Sequence, residues 1–269
     1  MKLLSYLRWG SAELLFTISI LCSVFFGAYA LPVQLANDIS TTQLSILSGI
    51  FFVVFAISQL YSGYLINRVS TKVLIGFSAI LASFGVFLFA NTHVFSLLII
   101  ARIIIGLGLG CTFVGVLYIV EQEFKTQFAL FASLSQSISN IAAGIVAIFG
   151  SSLINKYSYQ STYNLIGALL LVTSLFVFIF LPGKAKIVNN HEQESFIQNV
   201  TKITTNSRFL AATVYFGGIF SVILTYVDLF NVKYREVVFH MSPTKAVILN
   251  GTIPLGVALG SIIAGTLSL

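Results

Sequence analysis

An arginine within an otherwise apolar stretch is the most informative candidate for chemistry in this sequence. Arg102 lies about eight residues into the apolar run 94–120, or about 12 Å along a helix. An arginine in hydrocarbon costs roughly 2.5–3.5 kcal/mol on insertion scales, so its side chain needs a cavity or a partner. We expect Arg102 to face a central cavity and to bind an anionic group of a substrate. The alternative is a structural arginine that is satisfied by helix carbonyls or reaches the outer interface.

Uncharged polar residues inside other apolar runs are the next candidates for substrate binding. They are Tyr29, Gln136, Asn140 and Tyr226. Each side chain is able to hydrogen-bond a ligand in a central cavity, or to bond a neighbouring helix with a contribution of roughly 1 kcal/mol. The sequence alone leaves both interpretations open.

The remaining motifs give no support to an enzyme. Gly106 and Gly110, four residues apart, form a small-residue face suited to helix packing, and no strand precedes them to make a phosphate-binding loop. The three histidines lack metal-ligand spacing, and neither His-Glu-x-x-His nor Gly-x-Ser-x-Gly occurs. Cys22 and Cys111 lie in apolar runs and suggest neither a disulfide framework nor a zinc site. We therefore expect no catalytic residue, no metal and no cofactor.

The composition identifies the surroundings in which these residues work. Hydrophobic residues make up 57% of the 269 positions and charged residues 8%, whereas soluble domains carry about 25% charged residues. Such a chain lacks the charges for an aqueous surface, which excludes a soluble enzyme, a disordered chain and an ordinary nucleic-acid binder. The lipid bilayer is therefore the expected partner, and the net charge of +6 marks cytoplasmic loops.

Apolar runs of membrane-spanning length predict an all-α polytopic membrane protein. About 20 apolar residues cross roughly 30 Å of hydrocarbon as a helix, and the period-2 alternation of a membrane barrel is absent. The predicted spans are 12–36, 43–66, 72–91, 94–120, 127–154, 162–181, 208–231 and 245–268. The polar stretch 182–207 is predicted to be a cytoplasmic loop that separates a six-helix bundle, 1–181, from two further helices in 208–269. A cleavable signal peptide is the alternative for the first span, although the apolar run continues past Ala30.

The distribution of lysine and arginine predicts the orientation. With a cytoplasmic N-terminus, nine basic residues fall on the cytoplasmic side and four on the outside, and Arg102 is left inside a span. Because basic residues concentrate in cytoplasmic loops, we expect a multi-pass protein of the plasma membrane (the inner membrane in a bacterium) with its N-terminus inside.

The loop between the second and third spans carries a recognisable motif. The segment from Gly63 to Lys72 reads Gly-Tyr-Leu-Ile-Asn-Arg-Val-Ser-Thr-Lys and resembles the major facilitator superfamily signature Gly-x-Leu-x-Asp-Arg-x-Gly-Arg-Lys. Gly63, Leu65, Arg68 and Lys72 agree with it, whereas Asn67 replaces its acidic residue. Arg102, followed by the glycine ladder that ends at Gly110, is similar to the fourth helix of this family.

The resemblance implies a gate on the cytoplasmic side. Gly63, Asn67, Arg68 and Lys72 belong to this signature loop, and Glu121 at the end of the fourth span is expected to pair with Arg68 or Lys72 as a latch. Because Asn67 is neutral, the charge network of the family is incomplete here. An exposed acid at a helix end is the alternative for Glu121.

An internal repeat supports the same resemblance. With an offset of 202 residues, 40–67 aligns with 242–269 and eight of 28 positions are identical, among them Gly49/Gly251 and Gly63/Gly265. Parallel repeats of two six-helix halves build this superfamily. The resemblance thus implies one six-helix bundle plus the first two helices of a second. We expect residues 1–269 not to transport a solute by themselves.

The resemblance also implies secondary transport of a small solute by alternating access. No ATP-binding motif occurs, so a proton or sodium gradient is the expected driving force, although we place Glu13 only at the cytoplasmic start of the first span. The segment 139–144 lacks the Gly-Pro pairing of many drug–proton antiporters of the family, which favours an organic anion or similar metabolite. Drug efflux by the same fold, a membrane enzyme acting on lipid, and a transport-inactive remnant that only binds partners are the alternatives.

Overall fold

The computed structural model describes residues 2–66, 68–183, 196–225 and 231–268. Within these ranges the chain forms helices and no strand, which confirms the predicted all-α fold class. The helices in chain order are α1 (Lys2–Ala28), α2 (Ala30–Ala36), α3 (Thr41–Leu65), α4 (Thr71–Asn91), α5 (Phe95–Leu109), α6 (Thr112–Glu123), α7 (Phe128–Lys156), α8 (Tyr159–Phe180), α9 (Phe196–Thr205), α10 (Ser207–Thr225), α11 (Asn231–Val238) and α12 (Pro243–Leu267).

Seven helical segments within the described ranges have the length and apolar composition of a membrane span. They correspond to the predicted spans formed by α1, α3, α4, α5 with α6, α7, α8 and α12. The predicted span 208–231 overlaps α10 and then continues into residues outside the described ranges. A multi-pass membrane protein is thus confirmed, while the number eight stays a prediction.

The first helix begins earlier than predicted. It starts at Lys2 instead of residue 12, because Arg8 is held in a salt bridge with Glu123 and does not mark a solvated flank. Glu13 therefore lies about 16 Å along α1, while its place at the start of the membrane span stays a prediction. The helix is interrupted at Tyr29, since Pro32 has no amide hydrogen to donate to the carbonyl of Ala28.

The predicted loop 182–207 contains the short helix α9. Phe196, Val200 and Ile203 share one face of it because they are spaced four and three residues apart. The Phe196 ring lies against the end of α3, with its centroid 4.8 Å from that of Tyr61. Residues 184–195 of the loop lie outside the described ranges. An amphipathic stretch this short is not visible to a search for membrane-length apolar runs.

Hydroxyl groups and glycines hold the helices α1 to α8 close together. We call them the six-helix unit, because they contain six candidate membrane spans: α5 and α6 together form one span, and the short α2 follows the first. Ser83 Oγ on α4 donates to the carbonyl of Gly167 on α8 at 2.7 Å, and Ser174 Oγ on α8 donates to the carbonyl of Gly76 on α4 at 3.0 Å. Lipid tails are as apolar as leucine, so close backbone approach and such hydrogen bonds determine which helix faces meet in a membrane.

The helix α12 packs antiparallel to α7 along small residues of both. Ser137 Oγ donates to the carbonyl of Ala258 at 2.9 Å. A Cβ atom on Gly144 would lie 3.2 Å from the carbonyl oxygen of Gly251, so the two backbones are almost in contact. The helix α12 is thus connected to the six-helix unit through α7.

Candidate functional site

Arg102 lies inside the six-helix unit, in the middle of α5. Only 1% of the residue is exposed, and it is the largest of the fully buried side chains in the described part of the chain. Its Nε donates a hydrogen bond to the carbonyl of Leu47 on α3 at 2.9 Å. The guanidinium is enclosed in this structure by the ring of aromatic side chains described next. Its contact with an anionic group of a substrate stays a prediction.

Three phenylalanine rings from three helices surround the guanidinium. The Cζ atom of Arg102 lies 3.9 Å from the ring centroid of Phe26 on α1, 4.5 Å from that of Phe51 on α3 and 5.8 Å from that of Phe89 on α4. A desolvated cation over an aromatic face gains about 2 kcal/mol, because the ring face is negative. We refer to Arg102 with Phe26, Phe51 and Phe89 as the arginine cage. Sequence reasoning missed the rings, since they belong to three different spans.

Two buried polar atoms of this region have no hydrogen-bond partner within the described residues. They are Nη1 of Arg102 and the hydroxyl oxygen of Tyr163 on α8. The ring of Tyr163 lies 5.0 Å from that of Phe89, centroid to centroid. A buried polar group without a partner costs about 1–3 kcal/mol, so an acceptor that reached Nη1 would recover this energy. Tyr163 was not a candidate because it lies next to the predicted start of the sixth span.

Tyr29 connects the junction between α1 and α2 to α8 through a hydrogen bond. It is fully buried, and its hydroxyl forms a hydrogen bond with Oγ1 of Thr162 on α8 at 2.8 Å and donates to the carbonyl of Tyr157 at 3.3 Å. The hydroxyl is therefore already satisfied by protein groups. This geometry favours the helix-contact interpretation of Tyr29 over a substrate ligand.

Gln136 and Asn140 lie one turn apart on α7, and both are half-buried. The Nδ2 atom of Asn140 donates to the carbonyl of Gln136 at 2.7 Å, within the same helix. The described contacts of the arginine cage come from α1, α3 and α4, so these two residues are not part of it. The fifth predicted ligand, Tyr226, lies outside the described residues.

The glycine ladder of α5 contacts a different helix on each side. A Cβ atom would lie 3.0 Å from the carbonyl oxygen of Phe51 at Gly106, and 2.5 Å from Cβ of Ser58 at Gly110, both on α3. At Gly108 it would lie 2.5 Å from a backbone nitrogen of α4. These glycines let α5 fit between α3 and α4, and the fit positions Arg102, one turn before Gly106, among the rings of the cage.

The signature loop lies where α3 ends and α4 begins. The Cζ atom of Arg68 lies 3.9 Å from the ring centroid of Tyr64, and the Tyr64 ring lies 5.4 Å from that of Phe196 on α9. Gly63 has open space where a side chain would be, while Lys72 lies beside Gly183 beyond the end of α8. Asn67 lies outside the described residues. The described part of the loop thus contacts α9 through aromatic side chains.

A neighbouring acid, Glu123, forms an ion pair at the end of α6 where the latch was predicted. Glu121 is exposed, whereas the carboxylate of Glu123 lies 2.6 Å from Nη1 of Arg8. The pairing of Glu121 with Arg68 or Lys72 stays a prediction. Residues two apart point to nearly opposite sides of a helix, and α6 turns Glu123 toward α1. Sequence alone does not tell which of the two acids faces inward.

Comparison with known proteins adds independent findings. A family model described as Major Facilitator Superfamily matches residues 14–269. Multidrug resistance protein MdtL of Shewanella sp. (strain ANA-3) is 25% identical to this chain over 157 residues. That alignment covers 57% of this chain and 40% of the relative, so the matched region spans less than half of the relative's length.

Proposed function

The chain belongs to the major facilitator superfamily, and from that premise we propose that it moves a small organic solute across a membrane as a secondary transporter. Transport in this fold works by rocking of helix bundles around a site near the middle of the bilayer. An ion gradient is the driving force in this proposal. We place the protein in the plasma membrane with its N-terminus in the cytoplasm, because nine basic residues then fall inside and four outside.

The substrate class that the arginine cage supports best is an organic anion. The single observation that carries this proposal is the unpartnered Nη1 of Arg102, a charged donor buried between helices. A carboxylate or phosphate that accepts a hydrogen bond from a charged donor gains roughly 1.5–3 kcal/mol. The rings of Phe26 and Phe51 beside it suit a substrate whose body is apolar or aromatic.

The cage is closed in this structure, so a solute gains access only when the helices move. Phe26 belongs to α1 and Phe51 to α3, and both rings lie over the guanidinium. Separation of these two helices from α5 would uncover Arg102. Alternating access requires such an opening toward each side of the membrane in turn, and the closed cage then corresponds to an occluded state.

Drug efflux is the second candidate function. The relative from Shewanella is named a multidrug resistance protein, and aromatic rings of the kind found around Arg102 also bind lipophilic molecules through stacking and area burial. A cationic drug would be repelled by the guanidinium, so this alternative predicts neutral or anionic compounds as the better substrates.

Flux measurements distinguish the two candidates. Purified protein in proteoliposomes is tested with labelled organic anions and with lipophilic drugs, under an imposed proton or sodium gradient. Because a single copy of residues 1–269 is expected not to transport by itself, we expect saturable movement of at least one organic anion when two copies assemble and complete each other, and its loss in Arg102→Ala. The matched control is Arg208→Ala, which removes an exposed arginine from α10. Flux of drugs alone, unchanged in Arg102→Ala, would support efflux and reject the organic-anion proposal.

A further inference from the structure

We propose that Glu13, Thr17 and Ser139 form a binding site for one monovalent cation, Na⁺ or a proton, which neutralises the Glu13 carboxylate. The site lies between α1 and α7, about 20 Å along α1 from the ring of Phe26 in the arginine cage. This inference rests on the proposed function, because the site would bind the coupling ion of a secondary transporter.

Three oxygen atoms of the site form a triangle of equal edges. Oε1 of Glu13 lies 3.2 Å from Oγ1 of Thr17 and 3.2 Å from Oγ of Ser139, and those two hydroxyl oxygens are 3.2 Å apart. Both hydroxyls donate to Oε1 of Glu13 in this arrangement. Ca²⁺ binds oxygen ligands at about 2.3–2.6 Å, and Na⁺ has nearly the same ionic radius. An ion at such distances fits directly above a triangle of this size once the hydroxyl hydrogens turn away from Oε1.

The second carboxylate oxygen points to the same conclusion. Glu13 is 4% exposed, and its Oε2 is buried without a hydrogen-bond partner within the described residues. Burying an ionised carboxylate without a compensating charge is strongly unfavourable. A proton on Oε2, or a sodium ion shared by both carboxylate oxygens and the hydroxyls, removes that cost.

The charged groups of the described residues around Glu13 do not provide it with a counter-ion. Arg8, about 7.5 Å earlier along α1, is bound to Glu123. Of the helices that contact α1, α2 and α8 carry no charged residue. The charged or titratable residues on the contacting helices are Tyr118, Glu121 and Glu123 on α6, Lys156 in the last turn of α7, and Tyr159 and Tyr163 on α8. Arg102 on α5 meets α1 at Phe26, about 20 Å along the helix from Glu13, and Lys156 lies about 25 Å along α7 from Ser139. Within the described residues, a bound cation is therefore the remaining source of positive charge beside Glu13.

A single tryptophan reports on this interface. The Nε1 atom of Trp9 donates to Oγ of Ser135 at 2.9 Å. Trp9 lies one turn before Glu13 on α1, and Ser135 lies one turn before Ser139 on α7. Since the chain has no other tryptophan, a change at the cation site that moves α1 relative to α7 will alter the emission of Trp9 alone.

The experiment measures cation binding without any solute. Purified protein in Na⁺-free choline buffer at neutral pH is titrated with NaCl, and the melting temperature and Trp9 emission are followed. A second arm lowers the pH without Na⁺. We expect a saturable response in at least one arm. A response to Na⁺ identifies sodium as the ion, and a response to pH alone identifies the proton.

The variants separate the site from general effects on stability. Glu13→Gln is expected to abolish the response in both arms, and Ser139→Ala to weaken the apparent affinity about tenfold, because it removes one ligand oxygen. The matched control is Ser137→Ala, a buried serine two residues away that bonds to α12 and should leave the affinity unchanged. If Glu13→Gln does not fold, Thr17→Val, which should also weaken binding about tenfold, takes its place.

Two outcomes overturn the proposal. One is a wild-type protein that responds in neither arm, and the other is a response that Glu13→Gln and Thr17→Val both retain in full. Failure of the proposed function is distinguishable from these. A Glu13-dependent response in a protein that moves no tested solute would uphold the cation site and reject the transport proposal. Solute flux of unchanged ion dependence in Glu13→Gln would do the reverse.

Discussion

The Nη1 atom of Arg8 lies 2.6 Å from Oε1 of Glu123, and this ion pair connects the first turns of α1 with the last turn of α6. The Nε atom of Arg8 also donates to the carbonyl of Phe180 at the end of α8, at 3.3 Å. Three helix ends of the six-helix unit therefore meet at one guanidinium. Ser5 completes the cluster by donating its hydroxyl to Oε2 of Glu123 at 2.6 Å.

Glu123→Gln should lower the melting temperature, whereas Glu121→Gln should not. The substitution removes the charge that pairs with Arg8, but both side chains are partly exposed, so the loss is expected to be about 1 kcal/mol or less. High salt should reduce the difference from wild type, because it screens the pair. Thermal unfolding of the two variants at low and high salt checks this, and equal melting temperatures would show that Glu123 has no special role.

Gly110→Ala should destabilise the protein far more than Gly49→Ala. A Cβ atom on Gly110 would lie 2.5 Å from Cβ of Ser58, whereas one on Gly49 would meet no atom within 4 Å. Overpacking of this kind costs about 1–3 kcal/mol, while alanine in an open helix position gains up to about 1 kcal/mol over glycine. Melting temperatures of the purified variants provide the measurement. A Gly110→Ala protein as stable as Gly49→Ala would contradict the packing of α5 on α3.

A disulfide should form readily between Cys residues placed at positions 137 and 258. Ser137 Oγ lies 2.9 Å from the carbonyl oxygen of Ala258, so the double variant Ser137→Cys with Ala258→Cys brings two thiols to the α7–α12 interface. The control pairs Ser137→Cys with Leu259→Cys, because Leu259 is 64% exposed on another face of α12. A protease site engineered into the loop 182–207 separates α7 from α12 after cleavage. The two fragments then migrate together on a non-reducing gel only if the disulfide has formed. Equal cross-linking of both pairs would argue against the observed face of α12.

The orientation is tested by labelling two exposed positions from outside intact cells. Thr201→Cys on α9 should resist an impermeant maleimide, and Val94→Cys between α4 and α5 should react, if the N-terminus is cytoplasmic. Both positions are exposed, and the native cysteines Cys22 and Cys111 are buried and free, so their background is low. Permeabilised cells should label both. The reverse pattern in intact cells would invert the orientation.

The membrane helices were largely predictable from apolar runs, because a helix that crosses hydrocarbon needs about 20 apolar residues in sequence. The third predicted span, 72–91, differs from α4 by one residue. The beginning of α1 was not predicted: the helix starts at Lys2, whereas the predicted span starts at residue 12, because Arg8 looks in the sequence like a solvent-exposed residue before the span. Its partner Glu123 is 115 residues away, and only the tertiary fold brings the two together.

Of the candidate site, the sequence predicted Arg102 but not the aromatic rings that surround it. Arg102 stands out because a charge in an apolar run requires a physical explanation. The rings that enclose it belong to three other spans, each of which contains many phenylalanines, and no spacing rule selects Phe26 or Phe51 from among them. The same holds for the acids Glu121 and Glu123, since helix periodicity separates their directions without telling which one faces α1. Glu13 was placed only at the start of a span, because Ser139 is 126 residues away and only the tertiary fold brings the two together.

The role of Arg102 in substrate binding is tested most directly by ligand affinity in variants of that residue. The dissociation constant of an organic anion found in the flux screen is measured on purified wild type, Arg102→Lys, Arg102→Ala and Arg208→Ala. Loss of a charge-assisted hydrogen bond of roughly 1.5–3 kcal/mol predicts affinity about ten- to a hundredfold weaker in Arg102→Ala. Arg102→Lys should be intermediate, because it keeps the charge but loses the planar guanidinium, and Arg208→Ala should match wild type. A folded Arg102→Ala protein, with a cooperative thermal transition and unchanged affinity, would contradict the account.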